Sequence, residues 1–454
     1  MIDLNISQVI FGLIIGLIFG FIISKNNVCS NSAFAYFFLY RDINIIKILA
    51  LSVILGTLGT SILVFLDYYY FKPMSFSYIV NPLGGFIFGL GMVLASGCAS
   101  SICFRTGEGW IQALLAIIGF IIGGMTLREV NYIGETFFGV SFEIIGRDTW
   151  VNNIARPTFG TLFGLSGRDE AFFGIVLSML LLILFIFLYY HYKRPKFSFK
   201  IENIPDLKTI VREPWAWWII SLILVVLMIA SFLTKIVTSA CGCESPGLGM
   251  TEGLVDFILL DWSSFFLIGT VSGGFIASKA AGSFEIKSVT SNQAIKGLSG
   301  GFLLGVGSLM ASGCNIGHML GGLPHLSVGS VVTLTFIILG NWTMVFILNK
   351  RFRVEKFELI QEKSKENDEK FIDDEFNIVD TRGETCPIPL MLTKKGLKKA
   401  KDGVELIVMG NHRQSLKDIP EFIDKSPHTV EEIRDEPDGT WYIIISVKKE
   451  INKE

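Results

Sequence analysis

The sequence predicts a polytopic α-helical membrane protein of about nine spans, followed by a small two-layer α/β sandwich. The chain has 454 residues, of which 51% are hydrophobic, and a mean hydropathy of +0.54. It is therefore too apolar for a soluble protein of this length. Its apolar residues also occur in successive runs, several close to the roughly 20 residues that a bilayer span requires. From residue 351 onward these runs stop and charged residues crowd together.

Seven apolar runs predict spanning helices. They cover residues 7–23, 45–66, 111–127, 171–190, 215–234, 265–278 and 327–348. The first run lacks the basic start of a cleavable signal peptide, so we expect it to be retained as a span. So many apolar runs in one chain argue against the buried helices of a large soluble protein.

The distribution of basic residues predicts the orientation of these spans. Basic clusters at 191–200 and after 349 should be cytoplasmic, whereas the acidic or neutral loops at 67–70 and 241–261 should be external. Counting back from a cytoplasmic C-terminus, with two repeated segments included, gives nine crossings and an external N-terminus.

The repeated segments read "GGFIFGLGMVLASGC" from Gly84 and "GGFLLGVGSLMASGC" from Gly300, with nine of fifteen positions identical. Each has an apolar, glycine-rich stretch too short to cross a bilayer, then a cysteine and small polar residues. We therefore expect two helices that break near the midplane, where exposed backbone must be buried or face a wet cavity. The topology orients them oppositely, as an inverted duplication would require. Two broken helices that meet near the midplane are also the usual form of a transporter's substrate site.

A second, shorter echo complicates this duplication. "GFIISKNNVCS" begins at Gly20 and "GFIASKAAGSF" at Gly274, and the same topology makes these segments run in the same direction. Either the echo is a coincidence or one of the two segments is re-entrant.

The shared context of Cys98 and Cys314 makes them candidate substrate-binding residues. In an apolar setting a thiol stays neutral, donates a weak S–H hydrogen bond and offers polarisable sulfur. Free backbone amides near Ser100 and Asn315 would add positive partial charge. This combination suits a soft, sulfur-containing anion better than a metal cation, since His318 is the only other metal-ligating side chain nearby. We expect no metal site and no cofactor.

The other membrane cysteines carry weaker signals. Cys103 is expected to pack as a small apolar residue. Cys241 and Cys243 form a Cys-x-Cys pair in a predicted external loop and have no assigned role.

After a polar linker at 351–374, residues 375–454 predict the order strand-helix-strand-helix-strand-strand, which fits a small α/β sandwich. Cys386 precedes Pro387, a residue that favours the first helical turn. A helix N-terminus, with Arg382 upstream, would stabilise a thiolate there. We therefore expect an exposed, nucleophilic cysteine. Since no second cysteine lies nearby, it would carry or transfer a group rather than cycle through a disulfide.

Two resemblances follow from these motifs. The tail, with "VDTRGETCPIPLMLTKKGLK", resembles the TusA family of small sulfur carriers, whose Cys-Pro-x-Pro cysteine, here Cys386, holds a persulfide. Asn411 and His412 stand where that family commonly has acidic residues. Residues 1–350, through "NNVCS", "ASGCASS" and "ASGCNIGH", resemble the YeeE/YedE family of thiosulfate transporters. This second resemblance implies an hourglass-like helical fold with Cys29, Cys98 and Cys314 along one central path.

Together the resemblances imply a thiosulfate importer of the bacterial inner membrane, with a cytoplasmic C-terminal domain that has possible sulfurtransferase activity. The expected partners are thiosulfate, the lipid bilayer and other cytoplasmic sulfur-transfer proteins, but no nucleic acid. The alternatives are transport of another sulfur or selenium species, a membrane thiol oxidoreductase using Cys98, Cys103 and Cys314, and a membrane anchor for the carrier domain.

Overall fold

The structure, a computed structural model, describes residues 6–133, 157–192, 215–237, 248–255, 262–282, 284–287, 289–351, 377–382, 384, 387–411, 415–424, 426–436 and 440–448. The chain forms two compact units, Met1–Met344 and Val345–Glu454. The first contains helices and the second contains the only sheet among the described residues.

The helical unit repeats one pattern of long and short helices. The first half contains α1 (Ile6–Lys25), α2 (Ser30–Tyr40), α3 (Asn44–Phe65), α4 (Val80–Leu94), α5 (Ala99–Gly107) and α6 (Ile111–Ile133). After α7 (Arg168–Tyr192), the second half contains α8 (Trp217–Val237), α9 (Thr251–Val255), α10 (Trp262–Ala281), α11 (Ser291–Met310), a π-helical turn at Gly317–Gly322 and α12 (Val328–Arg351). Each half therefore has a short helix after its first long one and a break after its third.

Eight segments of the described chain are long and apolar enough to cross a membrane. They include all seven runs predicted from the sequence, and the eighth is the broken segment formed by α4 and α5. The helix α11 is not among the eight, but its 20 residues pack along α4. The expectation of a polytopic helical membrane protein is thus confirmed.

Glycines let α4 and α11 cross at van der Waals contact. Gly84 packs against the backbone of Ala311, and Gly300 packs against the backbone of Ala95. Since the residue number rises along one helix as it falls along the other, the two helices are antiparallel. The repeated segments therefore run in opposite directions, as the sequence predicts for an inverted duplication.

The neighbouring helix pairs obey the same symmetry. Gly301 and Gly305 of α11 pack on the backbone of α6, and Gly85 and Gly89 of α4 pack on the backbone of α12 in the equivalent way. Each of these pairs is parallel. When one half is superposed on the other so that α4 matches α11, α12 also matches α6. The duplication therefore extends beyond the fifteen-residue motif.

The second sequence echo has a structural counterpart. Gly16 and Gly20 of α1 pack on the backbone of α10 near Phe266 and Thr270, so these two helices run in the same direction. The helices α3 and α8 are the symmetry-related pair, and they are joined by a 3.4 Å hydrogen bond from the Ser52 hydroxyl to the Ser221 carbonyl. The echo thus falls on two parallel helices in contact.

The helical unit has two ends. Asn26 follows α1 and accepts a 2.9 Å hydrogen bond from the backbone N–H of Trp215, just before α8. We call this the Lys25 end, after the last residue of α1. At the opposite end Arg168, the first residue of α7, forms an ion pair with Asp67, just after α3. We call this the Asp67 end.

The second unit is a four-stranded sheet with two helices. Strands β1 (Asn377–Asp380), β2 (Glu405–Gly410), β3 (Thr429–Asp435) and β4 (Trp441–Ser446) take the order β1-β2-β4-β3. Helix α13 (Ile388–Lys399) follows β1 and α14 (Ser415–Ile423) follows β2. The predicted order of elements is confirmed. Helix α13 ends at Lys399, because the next residue, Ala400, is extended (φ −60°, ψ 144°).

Candidate functional site

The two helix breaks have the same backbone geometry. After α4, Ser96 adopts a left-handed conformation with φ of 58°, and after α11, Ser312 does so with φ of 61°. Such values are uncommon for residues other than glycine. Each serine is followed by a glycine and then by Cys98 or Cys314. The duplicated Ala-Ser-Gly-Cys motif therefore encodes one tight turn, used twice, that ends in a thiol.

Polar side chains donate hydrogen bonds to the backbone carbonyl groups that lose their intrahelical partners at the breaks. The guanidinium group of Arg105 donates to the carbonyl of Ser96. At the second break, the carbonyl of Ala311 accepts from His318 Nε2 at 2.9 Å and from Asn81 Nδ2 at 3.0 Å. Since a carbonyl oxygen can only accept, Nε2 carries a proton, and Ser330, 3.1 Å from Nδ1, donates to the neutral ring. His318 is thus a hydrogen-bonding residue, and the basic residue Arg105 is buried rather than exposed.

Cys29 and Cys98 lie together. Each is the residue immediately before a short helix, α2 or α5, and each has an extended backbone. Their thiols are close enough to interact with each other, and both interact with the Ser101 side chain. The sulfur of Cys98 lies 3.2 Å from the hydroxyl of Ser100. The N-termini of two short helices therefore converge on a pair of buried thiols.

Cys314 lies at the other break. Its sulfur accepts a 3.4 Å hydrogen bond from the backbone N–H of Gly317. Ala95 and Ala311, which precede the two breaks, lie beside Gly300 and Gly84, at opposite ends of the α4–α11 crossing. Gly84 and Ala95 are eleven positions apart, which corresponds to about 16 Å along a helix axis. The structure thus brings Cys29 to Cys98 and leaves Cys314 at a separate position nearer the Asp67 end.

Cys103 differs from these three cysteines. Its thiol donates a 3.1 Å hydrogen bond to the Ala99 carbonyl of its own helix. The four cysteines of the described helical segments are all free and buried. No cluster of three or more metal-ligating side chains occurs among the described residues.

A carboxylate lies beside the first break, at the Lys25 end. Glu108 follows α5, in the short turn before α6, and accepts a 2.6 Å hydrogen bond from the hydroxyl of Ser24. Burial raises the pKa of the Glu108 carboxyl, while this hydrogen bond and the charges of Arg105 and Lys287 partly offset the increase.

Three sequence-predicted cysteines, Cys241, Cys243 and Cys386, lie outside the described residues. In the second unit, Arg382 forms a 2.9 Å ion pair with Asp380, the last residue of β1. The guanidinium group of Arg382 therefore pairs with a carboxylate on the N-terminal side of Arg382.

Sequence reasoning missed a set of buried polar residues beside the cysteines. Ser30 and Asn31 follow Cys29, Asn315 follows Cys314, and Thr251 begins α9. Each has a side-chain atom without a hydrogen-bond partner among the described protein groups. The only signal in the sequence was their position next to a cysteine or a helix start.

Comparison with known families identifies two domains in the chain. Residues 25–343 match the family described as Sulphur transport. The chain belongs to the Sulphur transport family. Residues 377–447 also match the family described as Sulfurtransferase TusA, so a TusA domain follows the Sulphur transport domain, as the motifs predict.

Individual relatives cover the two domains separately. The protein named thiosulfate transporter TsuA of Spirochaeta thermophila is 29% identical over 354 residues, which are 75% of this chain and 99% of the relative. The protein of the same name in Escherichia coli is 24% identical over 355 residues, 76% of this chain and 96% of the relative. A putative sulfur carrier protein of Archaeoglobus fulgidus is 39% identical over 72 residues, 16% of this chain and 97% of the relative.

Proposed function

We propose that this member of the Sulphur transport family imports thiosulfate across the bacterial cytoplasmic membrane, and that Cys314, Cys98 and Cys29 line its path. The observation that carries the proposal is the duplicated break, which puts one cysteine at each end of the α4–α11 crossing. The names of the two transporter relatives support thiosulfate as the cargo.

The chemistry of the thiols suits transfer of this anion without covalent steps. Both breaks are buried, so a neutral thiol is favoured over a thiolate, which would repel an anion. Neutral S–H groups bind weakly, and a path of weak sites lets an ion enter and leave. The N-termini of α2 and α5, which converge on the Cys29–Cys98 pair, add positive partial charge.

The charge distribution supports a cytoplasmic Lys25 end. Lys25 and Lys279 end the parallel helices α1 and α10, and the backbone N–H of Lys287 bonds to Gly109 in the turn after α5. Such a concentration of lysines is typical of cytoplasmic loops. In this orientation the anion meets Cys314 before Cys98 and Cys29. The TusA domain would then take up sulfur at Cys386 on the cytoplasmic side and pass it to other sulfur-transfer proteins.

The test is uptake of ³⁵S-labelled thiosulfate by cells that lack their own sulfate and thiosulfate uptake. Cys98→Ala and Cys314→Ala should abolish uptake, whereas Cys103→Ala, which removes a thiol bonded to its own helix, should retain it. Cys386→Ser should leave initial uptake intact and reduce later incorporation of sulfur. Full uptake by both Cys98→Ala and Cys314→Ala would overturn the cysteine path. Absence of thiosulfate uptake by the unaltered chain would overturn the cargo.

A further inference from the structure

Unpaired polar atoms accompany both helix breaks. Near the Cys29–Cys98 pair, Ser30 Oγ and Asn31 Nδ2 have no hydrogen-bond partner among the described protein groups. Near Cys314 the same holds for Thr251 Oγ1 and for both amide atoms of Asn315. Ser30, Asn31 and Asn315 are at most 1% exposed and Thr251 is 8% exposed. These groups are therefore withdrawn from bulk water.

The two sets occupy equivalent places in the duplicated fold. Ser30 is the first residue of α2, the short helix of the first half, and Thr251 is the first residue of α9, the short helix of the second half. The proximity of Cys29 to Cys98 places the start of α2 near the first break. Gly249, two residues before Thr251, packs against Gly317 next to Cys314. Each break thus has its own short helix that begins with a hydroxyl.

Their position in the helix explains why these hydroxyls remain unpaired. Several hydroxyls inside the long helices of this chain donate to the carbonyl four residues earlier, as Ser52, Thr60 and Thr270 do, whereas Ser61 and Thr333 do not. The first residue of a helix has no such helical carbonyl behind it. Asn31 is held on one side only, because its Oδ1 accepts a 2.7 Å hydrogen bond from Asn341 while its Nδ2 stays unpaired.

An unpaired buried polar group destabilises a fold, so such groups usually have a ligand or another role. The free atoms include O–H and N–H donors at both breaks. An oxyanion offers only acceptors, whereas the terminal sulfur of thiosulfate is soft and matches the thiols. The two kinds of group therefore complement the two ends of one anion.

We propose that the sulfonate oxygens of thiosulfate accept hydrogen bonds from Thr251 and Asn315 at the first site, then from Ser30 and Asn31 at the second, while the cysteines contact the terminal sulfur. This inference rests on the proposed transport function and adds a second specificity element to it. The thiols select for sulfur, and the hydroxyl and carboxamide groups select for the oxygens.

The test uses three site variants of the full-length protein in which an apolar side chain of similar or smaller size replaces the polar one: Thr251→Val, Asn315→Leu and Ser30→Ala. Each should raise the KM of thiosulfate uptake about tenfold or more, since a hydrogen bond to a charged group is lost. Ser61→Ala and Thr333→Val are the matched controls, because they remove unpaired buried hydroxyls from the interiors of α3 and α12. These controls should change KM less than twofold.

Thermal unfolding of the purified proteins provides a second measurement. Replacing an unpaired buried polar group with an apolar one is neutral or stabilising. The site variants should therefore melt at or above the temperature of the unaltered protein without thiosulfate, and should show a smaller increase when thiosulfate is added. A purely structural role predicts the reverse, a lower melting temperature with an unchanged KM.

The outcomes separate this inference from the proposed function. If the site variants keep the original KM while Cys98→Ala and Cys314→Ala abolish uptake, the oxygen-binding residues are refuted and the cysteine path stands. If the cysteine variants also transport normally, the path itself is refuted.

Discussion

Asn81, near the start of α4, donates a 3.0 Å hydrogen bond to the carbonyl of Ala311, which follows α11 and is 230 residues away in the chain. The same carbonyl accepts a hydrogen bond from His318. The carbonyl of Ala311, which the helix break leaves without an intrahelical partner, is therefore bound by two donors, one from each half of the duplication. The hydrogen bond from Asn81 therefore ties the second break to α4.

The two donors should show thermodynamic coupling. His318→Ala and Asn81→Ala should each lower the free energy of unfolding by about 1–2 kcal/mol, since either leaves the Ala311 carbonyl with one partner. The double variant should lose more than the sum, because the carbonyl is then buried without a donor. Denaturant unfolding of the detergent-solubilised protein measures this cycle. Strict additivity would show that the two donors act independently.

The glycines of the α4–α11 crossing should not tolerate a methyl group. A Cβ on Gly300 would overlap the backbone nitrogen of Ala95, which cannot move away without shifting α4. We expect Gly300→Ala to reduce the free energy of unfolding by about 1–3 kcal/mol, the usual range for overpacking.

Gly56→Ala is the matched control for this prediction. Its methyl group would meet the terminal methyl of Met228, 2.5 Å away, and a flexible methionine end can rotate aside. The control should stay close to the original stability. Equal losses in both variants would mean that backbone contact does not set the tolerance at the crossing.

The sequence predicted the two breaks because they use a single local motif. The breaks were expected because apolar residues give way to small polar ones at "ASGC", and oppositely directed helices followed from the alternation of basic and neutral loops. The left-handed conformation of the two serines comes from the structure. In the second unit, the order of strands and helices followed from local periodicity.

The contacts between distant elements could not be predicted in this way. Nothing local in "NNVCS" indicates that Cys29 lies near Cys98, because the two residues precede separate short helices that only the tertiary fold brings together. The 2.7 Å hydrogen bond between Asn341 and Asn31 spans 310 residues. The five-residue helix α9 is too short to give a periodic signal. The tertiary structure is therefore needed to identify residues such as Thr251 as candidate binding residues.

The stability of the helical unit should depend on the protonation of Glu108. Because burial raises the pKa of this carboxyl, the folded state binds its proton at a higher pH than the unfolded state does. The stability that protonated Glu108 contributes is fully present below its unfolded-state pKa. It is lost as the pH rises through its folded-state pKa. We expect the unfolding free energy to fall with increasing pH above the ordinary glutamate range, by at most about 1.4 kcal/mol per unit.

Variants at two carboxylates test this pH dependence. Glu108→Gln should remove the slope, which is measured by thermal unfolding of the solubilised protein between pH 5 and 8. Asp67→Asn should leave it unchanged, since the Arg168 guanidinium lowers the pKa of Asp67 and its contribution is lost only at more acidic pH. A slope that survives Glu108→Gln would assign the dependence to another group.

The TusA domain should show the opposite pH dependence through His428. Its Nδ1 accepts a 3.1 Å hydrogen bond from the backbone N–H of Lys448, just after β4, which requires an unprotonated nitrogen. Partial burial lowers the pKa of the His428 imidazole. The unfolded state therefore binds more protons, so this contribution is present above the unfolded-state pKa of about 6.5 and is lost as the pH falls below it.

Urea unfolding of residues 375–454 between pH 5.5 and 7.5 measures this effect, and a free-standing relative of similar length supports the use of this fragment. The free energy of unfolding should decrease toward pH 5.5, and His428→Gln should flatten the profile, since glutamine does not titrate. His412→Gln controls for the only other histidine of the segment. A profile flattened by His412→Gln but not by His428→Gln would show that the Lys448 contact does not control the pH dependence, because the proton would then be taken up elsewhere.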